Sequence, residues 1–343
     1  MLSTGSRKIV KNTLLVLLTL VVLTISVNLH NALSQKIPIQ NANQTLIVNK
    51  GDTLYGLLSS LEEKYNLSST WWIRFNYIFK EDPVIKAGRY NIYPNSSVSE
   101  LIDRFEDGDV QLFKLAIIEG TTAKNNLINL ENIIEEENLD FVVPQSVKDL
   151  FSSEALIMAD TYFFSDDQDL TKVLKNSKLY LDEYLANAWN KKSKNNPLKS
   201  PYEALILASI IEREAVLPSE QEKIASVFLS RLSVNMRLQA DPTSSYGFYR
   251  GYGQKIGRAV LDDKNPYNTY QVKGLPPSPI CYPSKGAIDA AIKSSPGDFY
   301  YFVAKGDGYH TFTKTEKEHR IAKKKFQEVR KKYNRQNKIQ GEI

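Results

Sequence analysis

Residues 200–214 read SPYEALILASIIERE, and this segment decides the fold of the C-terminal half of the chain. Ser200 is a candidate N-cap, Pro201 stands in the first turn, and Glu203 follows three residues after the cap. This order is the signature of a helix N-terminus. The uncharged run that follows predicts an apolar helix that ends near Ala215.

Two carboxylates, Glu212 and Glu214, stand at the end of this apolar helix. A second Ser-x-x-Glu box at Ser219–Glu222 predicts that another helix starts there, so Leu217-Pro218 marks a corner between two helices. Desolvation by apolar neighbours and the negative end of a helix dipole both raise the pKa of a carboxyl at such a corner. A proton held near neutral pH suits a general acid. The alternative is a solvated or salt-bridged surface pair, neutralised by Arg213.

The composition is that of an ordinary globular protein, with 343 residues of which 42% are hydrophobic and 24% charged. This length predicts two or three modest domains. The net charge is +5, but Lys and Arg concentrate at the two ends, and the C-terminal stretch mixes Glu with Lys in an amphipathic pattern. We therefore expect a solvated terminal helix there and no nucleic-acid partner.

Cysteine and histidine are too sparse for a disulfide scaffold or a metal site. Cys281 is the only cysteine, so no internal disulfide is possible. His30, His310 and His319 are scattered and form no zinc-binding pattern. We expect neither a metal nor a cofactor.

The N-terminus carries a membrane-targeting segment. Residues Thr13 to Val27 contain no charge, and Arg7, Lys8 and Lys11 precede them. Flanking apolar residues extend the run to about 20 residues, enough for a spanning helix. A cleaved signal peptide is the alternative, but no clean small-x-small cleavage site follows. We predict a retained, single-pass membrane anchor, with the basic flank in the cytoplasm and the rest of the chain outside it.

The predicted fold class is α+β. A strand, two helices and a further strand within residues 45–110 resemble the LysM fold of peptidoglycan-binding modules, including the Gly-Asp-Thr-Leu opening at residues 51–54; a simple spacer domain is the alternative. The predicted organisation is a basic flank and transmembrane helix (1–30), a polar stalk (31–44), the LysM-like βααβ domain (45–110) and a mixed α/β catalytic domain (111–343). We divide the last into a support part (111–199), a catalytic core (200–320) and a basic C-terminal helix (321–343).

A polar stretch follows the two glutamates. Gln239, Asp241, Thr243 and Tyr246 offer the amide, carboxylate and hydroxyl groups that bind sugar hydroxyls, although a turn at Asp241-Pro242 is the simpler interpretation. Loops rich in proline, tyrosine and asparagine follow, and a β-hairpin is predicted through residues 298–312.

Six motifs in this half of the chain resemble the YceG-like family in order and spacing. They are ASIIERE (208–214), VFLSRL (227–232), MRLQADPT (236–243), YNTY (267–270), GLPP (274–277) and HTF (310–312). The resemblance implies a bitopic inner-membrane protein that cuts nascent peptidoglycan strands internally and leaves 1,6-anhydro-N-acetylmuramic acid ends. It places the catalytic glutamate at Glu214. The substrate-binding candidates are Glu212, Gln239, Asp241, Thr243, Tyr246, Tyr267, Asn268, Thr269, Tyr270 and His310.

One family feature is altered. Where the family often has Glu-Gly-x-Leu-x-Pro-Asp-Thr-Tyr, this chain has EALIMADTY at residues 154–162, so the Gly and the Pro are absent while the acidic and aromatic positions remain. We expect a changed loop shape more than a changed activity.

A single glutamate suffices for lytic transglycosylation. The C6 hydroxyl of the muramic acid attacks its own anomeric carbon, so one residue can protonate the leaving oxygen and then accept the proton of that hydroxyl. Glu212 and Glu214 lie about 200° apart on a helix, so only one can enter a given cleft. Two alternatives stay open: a hydrolytic muramidase that uses Glu214 and Asp241, and a non-catalytic peptidoglycan-binding scaffold. The sequence leaves open whether a peptidoglycan synthase is a partner.

Overall fold

The computed structural model describes residues 4–39, 44–68, 70–77 and 83–340, and its mixture of helices and small antiparallel sheets confirms the α+β class. The chain divides into two compact units, Met1–Phe113 and Lys114–Ile343.

The first unit opens with helix α1 (Thr4–Ser34). Its Lys8–Ser34 portion has a mean hydropathy of 2.1 and is long and apolar enough to cross a membrane. Residues 31–39 were expected to form a polar stalk, but in the structure they are part of the folded unit. Helix α1 continues to Ser34, and Ile37 and Ile39 are buried in the core of the unit. These apolar side chains gain more by packing than by exposure to water. Residues 40–43 of the stalk lie outside the described ranges.

The remainder of this unit has the predicted strand–helix–helix–strand order. Strand β1 (Gln44–Val48) pairs antiparallel with β2 (Gly88–Ile92), and helices α2 (Leu54–Tyr65) and α3 (Thr70–Tyr77) stand between them in the sequence. Helix α4 (Val98–Asp107) follows, with a capping box between Ser97 and Glu100. The sequence predicts the second of these helices, α3, over residues 69–79, of which 69, 78 and 79 lie outside the described ranges.

The first part of the second unit is a two-stranded sheet with helices around it. Strand β3 (Phe113–Ala116) pairs with β4 (Thr161–Phe164). Helices α5 (Ala123–Glu136), α6 (Gln145–Lys148) and the long α7 (Asp167–Trp189) complete this part.

Helix α8 (Pro201–Glu214) is the predicted apolar helix, and the structure confirms its start: the Ser200 side chain accepts a hydrogen bond from the Glu203 backbone N–H. A 3₁₀ turn (Pro218–Glu220) leads into α9 (Gln221–Ser233). The helix thus restarts after the corner, but the proposed Ser219 cap is wrong. Because Pro218 already begins a helical turn, Glu220 is the N-cap of α9 and makes no side-chain cap.

Helix α8 is the centre of this unit, since every residue from Ala204 to Ile211 is buried. It packs against α7, α9, α10 (Asp241–Tyr249) and α12 (Lys285–Lys293). Truncation of a core residue such as Ile210 to Ala would cost about 2–5 kcal/mol. This dense packing fixes the position of the two glutamates at the end of the helix.

The last elements complete the walls of the site. Where a turn at Asp241-Pro242 was the simpler interpretation, the chain forms α10, which is followed by the short α11 (Arg258–Asp262). Strands β5 (Tyr301–Ala304) and β6 (His310–Thr313) form the predicted hairpin. Helix α13 (Glu316–Gln340) starts at Glu316, five residues before the predicted boundary at 321.

Candidate active site

A cavity of about 680 Å³ lies at the C-terminal end of α8. Its walls come from the end of α8, from α9, from the segment between α9 and α10, from the β5–β6 hairpin and from the first turns of α13. Five of the eleven residues proposed from the sequence line it: Glu214, Gln239, Asp241, Tyr270 and His310.

Glu214 is the half-buried carboxyl of this cavity, and its pKa is raised from 4.5 to about 8. Desolvation is the main cause, and the negative charge of Asp241 adds to it. Arg231, Arg213 and the backbone N–H of Asp241 act in the opposite direction but do not cancel the effect. A protonated carboxyl at neutral pH is the form a general acid requires.

Glu212 lies outside the cavity, on a different face of α8. Its Oε2 accepts hydrogen bonds from the Ser284 backbone N–H at 3.0 Å and from the Ser284 hydroxyl at 2.5 Å. Ser284 is the N-cap of α12. Glu212 was expected to contact the substrate, but in the structure its carboxylate joins α8 to α12.

Gln239, Asp241 and Tyr270 form a polar wall next to Glu214. Tyr270 donates a hydrogen bond from its hydroxyl to Asp241 Oδ1 at 2.7 Å. Gln239 has a left-handed backbone (φ +47°) and an exposed side chain. Such a conformation is costly for a residue other than glycine and concentrates at functional sites.

His310 enters the cavity from β6 and is held on its other side by Glu220. Its Nδ1 lies 2.7 Å from Glu220 Oε2, and its backbone N–H donates to Glu220 Oε1 at 3.1 Å. Both side chains are at least nine-tenths buried. A carboxylate can only accept, so Nδ1 carries a proton, and in the neutral form of the ring Nε2 is then the acceptor nitrogen.

Thr243, Asn268 and Thr269 are fully buried and do not line the cavity. The Thr243 and Thr269 hydroxyls lie 2.8 Å apart, and Thr269 also accepts a hydrogen bond from the Ala240 backbone N–H at 3.0 Å. Asn268 donates to the carbonyls of residues 260, 261 and 263. Direct contact with sugar is incompatible with this burial. The three side chains hold the N-terminus of α10 and the adjacent loop, which positions Asp241 and Tyr270.

Tyr246 and Tyr267 also lie away from the cavity. The Tyr246 hydroxyl donates to Glu154 Oε1 at 3.1 Å, and the Tyr267 hydroxyl pairs with that of Ser278 at 2.7 Å. Glu154 is buried, and desolvation raises its pKa to about 7. The two tyrosines meet edge to face at 5.1 Å. They support the loops behind the site.

Ala155, which stands where the family often has glycine, keeps a left-handed backbone with φ +56°. The backbone geometry suited to glycine is thus present without the glycine.

Sequence reasoning missed Arg231 and the contribution of α13. Arg231 is buried beneath the cavity, donates to the carbonyls of Arg237, Leu238 and Tyr300, and has its pKa lowered by desolvation. Its position in a largely apolar stretch of α9, close to Leu229 and Leu232, gave a signal, because a buried arginine needs several acceptors. His319 from α13 stacks on Tyr301 with ring centroids 5.1 Å apart. Glu316 and Lys323 extend the same wall.

Within the described ranges, no three His, Cys, Asp or Glu side chains gather as metal ligands.

Comparisons with known proteins agree with the resemblance seen in the motifs. The model of the YceG-like family matches residues 46–325. An endolytic murein transglycosylase from Bacillus subtilis is 27% identical over 316 residues, which cover 84% of this chain and 87% of that protein. A protein of the same name from Streptococcus pneumoniae is 25% identical over 300 residues, 76% of this chain and 54% of the relative, so the chain spans about half of its length.

A solved structure gives the same indication. The crystal structure of a YceG-like protein from Listeria monocytogenes matches with a TM-score of 0.52 and 25% identity, over 81% of this chain and 98% of that one.

Proposed function

The chain belongs to the YceG-like family, and we propose that it is a membrane-anchored endolytic lytic transglycosylase of peptidoglycan, a carbon–oxygen lyase. Its relatives from Bacillus subtilis and Streptococcus pneumoniae carry the name endolytic murein transglycosylase. The observation that carries the proposal is Glu214, a carboxyl with a raised pKa that lines a polar cavity.

Glu214 acts twice in the proposed reaction. Protonated at neutral pH, it donates its proton to the glycosidic oxygen between N-acetylmuramic acid and N-acetylglucosamine as the bond to the anomeric carbon breaks. The resulting carboxylate then accepts the proton of the muramic acid C6 hydroxyl, whose oxygen bonds to the same carbon. No water is consumed, and the products are a free C4 hydroxyl and a 1,6-anhydro end.

The other cavity residues bind and orient the sugar. Gln239 offers an exposed amide, the Tyr270–Asp241 pair offers a carboxylate fixed by a hydroxyl, and His310 offers Nε2 as an acceptor. Arg231 lies within electrostatic reach of Glu214 and stabilises its ionised form after the first proton transfer.

A hydrolytic muramidase is the second candidate, because Asp241 lines the same cavity and its charge raises the pKa of Glu214. It would use Asp241 as base or nucleophile. The engagement of Asp241 by the Tyr270 hydroxyl favours the transglycosylase, since that hydrogen bond weakens a nucleophile or base.

The proposed location follows from α1. The apolar segment spans the membrane once, with the Arg and Lys residues before it on the cytoplasmic side, and the rest of the first unit and the whole second unit outside. In that arrangement the cavity faces the compartment that holds peptidoglycan, the first unit acts as a glycan-binding module, and a peptidoglycan synthase is a candidate neighbour.

Mass spectrometry of digested peptidoglycan tests the function. We expect anhydro ends from the full chain, no cleavage by Glu214→Gln, and near-normal cleavage by the matched variant Glu212→Gln, whose amide oxygen still accepts from Ser284. Reducing ends, one water heavier, would instead establish a hydrolase. Glycan binding that survives Glu214→Gln, with no cleavage by the unmodified protein, would identify a scaffold.

A further inference from the structure

The C-terminal end of α1 is part of the core of the first unit. Leu29, Ala32 and Leu33 pack in that core, and α3 packs along α1. The chain then stays on the unit, because Ile37 and Ile39 are buried there as well. The core of the first unit therefore begins within the last turns of the apolar helix.

The length and charges of α1 set the depth of this junction in a membrane. Lys11 is the last charged residue before the apolar run. At 1.5 Å per residue, about 26 Å of helix separate Lys11 from Asn28, and the hydrocarbon core is about 30 Å thick. When α1 spans the membrane as proposed above, residues 28–34 lie in the outer polar interface, and the packed α3 lies beside them.

Helix α3 carries three aromatic side chains that form a cluster. The rings of Trp71 and Trp72 stack with centroids 3.8 Å apart, and Phe75 meets both edge-on at 6.3 and 6.4 Å. Trp72 packs against the core, whereas Trp71 is 53% exposed. Trp is enriched at membrane interfaces because its ring is apolar while its N–H reaches water or headgroups.

We propose that this α3 aromatic cluster contacts the outer headgroup layer of the lipid bilayer and fixes the orientation of the first unit on the membrane surface. The inference rests on the proposed spanning role of α1. A sugar is the other partner an exposed indole could take. Lipid is favoured because α3 packs along the apolar anchor, at the depth where the bilayer interface lies.

Fluorescence quenching by brominated lipid tests the cluster. Three tryptophans are present, and Trp189 belongs to the second unit. The full chain with Trp189→Phe is placed in phosphatidylcholine–phosphatidylglycerol vesicles whose acyl chains carry bromine either near the headgroup or near the chain end. We expect roughly half of the emission to be lost with the shallow bromine and less with the deep one.

Two variants complete the test. The reference protein, with Trp71→Phe and Trp72→Phe, retains only Trp189. Trp71→Glu in the Trp189→Phe background keeps Trp72 as reporter, and we expect reduced quenching because a charge at this exposed position draws α3 away from lipid.

The outcomes are distinguishable. Vesicle flotation first shows whether α1 inserts, and a chain that does not float refutes the anchor together with the cluster proposal. If the chain floats but its cluster is quenched no more than Trp189, only the cluster proposal is overturned. The same follows if soluble glycan chains, and not brominated lipid, change the emission.

Discussion

At the residue scale, Ala155 has a backbone conformation that costs free energy. Its φ of +56° lies in the left-handed region, where a Cβ atom costs about 1–2 kcal/mol. The preceding Glu154 is fixed by hydrogen bonds from the Ala123 backbone N–H at 2.6 Å and from Tyr246. The loop therefore keeps this conformation despite its cost.

Ala155→Gly relieves this strain but removes a methyl group that is buried in the core, so we expect the free energy of unfolding to change by less than about 1 kcal/mol, with glycan cleavage unchanged. Denaturant unfolding measures the change. Ala208→Gly in the middle of α8 is the matched control and should lower the free energy of unfolding by about 1 kcal/mol or more. A loss of stability in Ala155→Gly as large as that in Ala208→Gly would contradict the strain argument, because both variants lose a buried methyl group.

The pair of Glu220 and His310 makes a second prediction at this scale. In Glu220→Gln the amide oxygen can still accept from the His310 backbone, but the amide N–H now donates to Nδ1, so the ring proton moves to Nε2. The cavity then loses an acceptor. We expect cleavage to fall by about tenfold, the equivalent of one hydrogen bond, while the fold is retained.

Nitrogen NMR of histidine-labelled protein reports the tautomer, and initial cleavage rates report the effect. Glu222→Gln, an exposed position two residues further on, is the control and should change neither. A reversed tautomer with an unchanged rate would show that His310 accepts no hydrogen bond from the substrate.

At the element scale, Glu212 links two helices. Its two hydrogen bonds to Ser284 hold the N-terminus of α12 against the end of α8. Glu212→Ala removes both bonds and a favourable charge at a helix N-terminus, so we expect a loss of about 1–3 kcal/mol in the free energy of unfolding.

Thermal unfolding and cleavage should separate the two glutamates: Glu212→Ala lowers stability and retains cleavage at permissive temperature, and Glu214→Ala loses cleavage. Glu131→Ala, on an exposed position of α5, should affect neither property. Abolished cleavage in folded Glu212→Ala would return this residue to the catalytic candidates.

The elements that sequence could predict are those with local signals. The cap at Ser200 acts within three residues, and the helix that it starts begins where expected. Helix α10 was not foreseen because the hydrogen bonds at its start connect Ala240 and Thr243 with Thr269, 26 to 29 residues away. Distant partners of this kind leave no local pattern.

The same reason limits prediction of the site. Polarity and motif order pointed to Glu214, Gln239 and Asp241, all of which line the cavity. Polarity does not reveal direction, however, and Thr243 and Asn268 use their polar groups to hold loops. His319 was missed because its position depends on the packing of α13 on the hairpin.

At the scale of the whole molecule, the raised pKa values of Glu214 and Glu154 couple stability to pH. Their folded-state pKa values of about 8 and about 7 exceed the ordinary 4.5. Between pH 4.5 and about pH 8 the folded protein binds more protons than the unfolded chain. The free energy of unfolding is therefore greatest at the acidic end of this pH range and falls as the pH rises. The catalytic acid therefore lowers stability in the pH range in which it works.

Glu214→Gln should relieve its share of this cost. We expect the variant to be more stable than the unmodified protein above pH 8, by roughly 1–2 kcal/mol after allowance for solvent screening. The difference should vanish as pH approaches 4.5, because both forms are then neutral at this position. Glu154 is common to both proteins and cancels in the comparison.

Denaturant unfolding across this pH range measures the difference. Trp71→Phe and Trp72→Phe in both proteins leave Trp189 as the reporter of the second unit. Glu212→Gln is the control and should show no gain in stability at high pH, because Glu212 as a carboxylate accepts two hydrogen bonds. A stability difference between Glu214→Gln and the unmodified protein that stays constant with pH would mean that Glu214 is ionised throughout, and the proposed acid would then lack its proton.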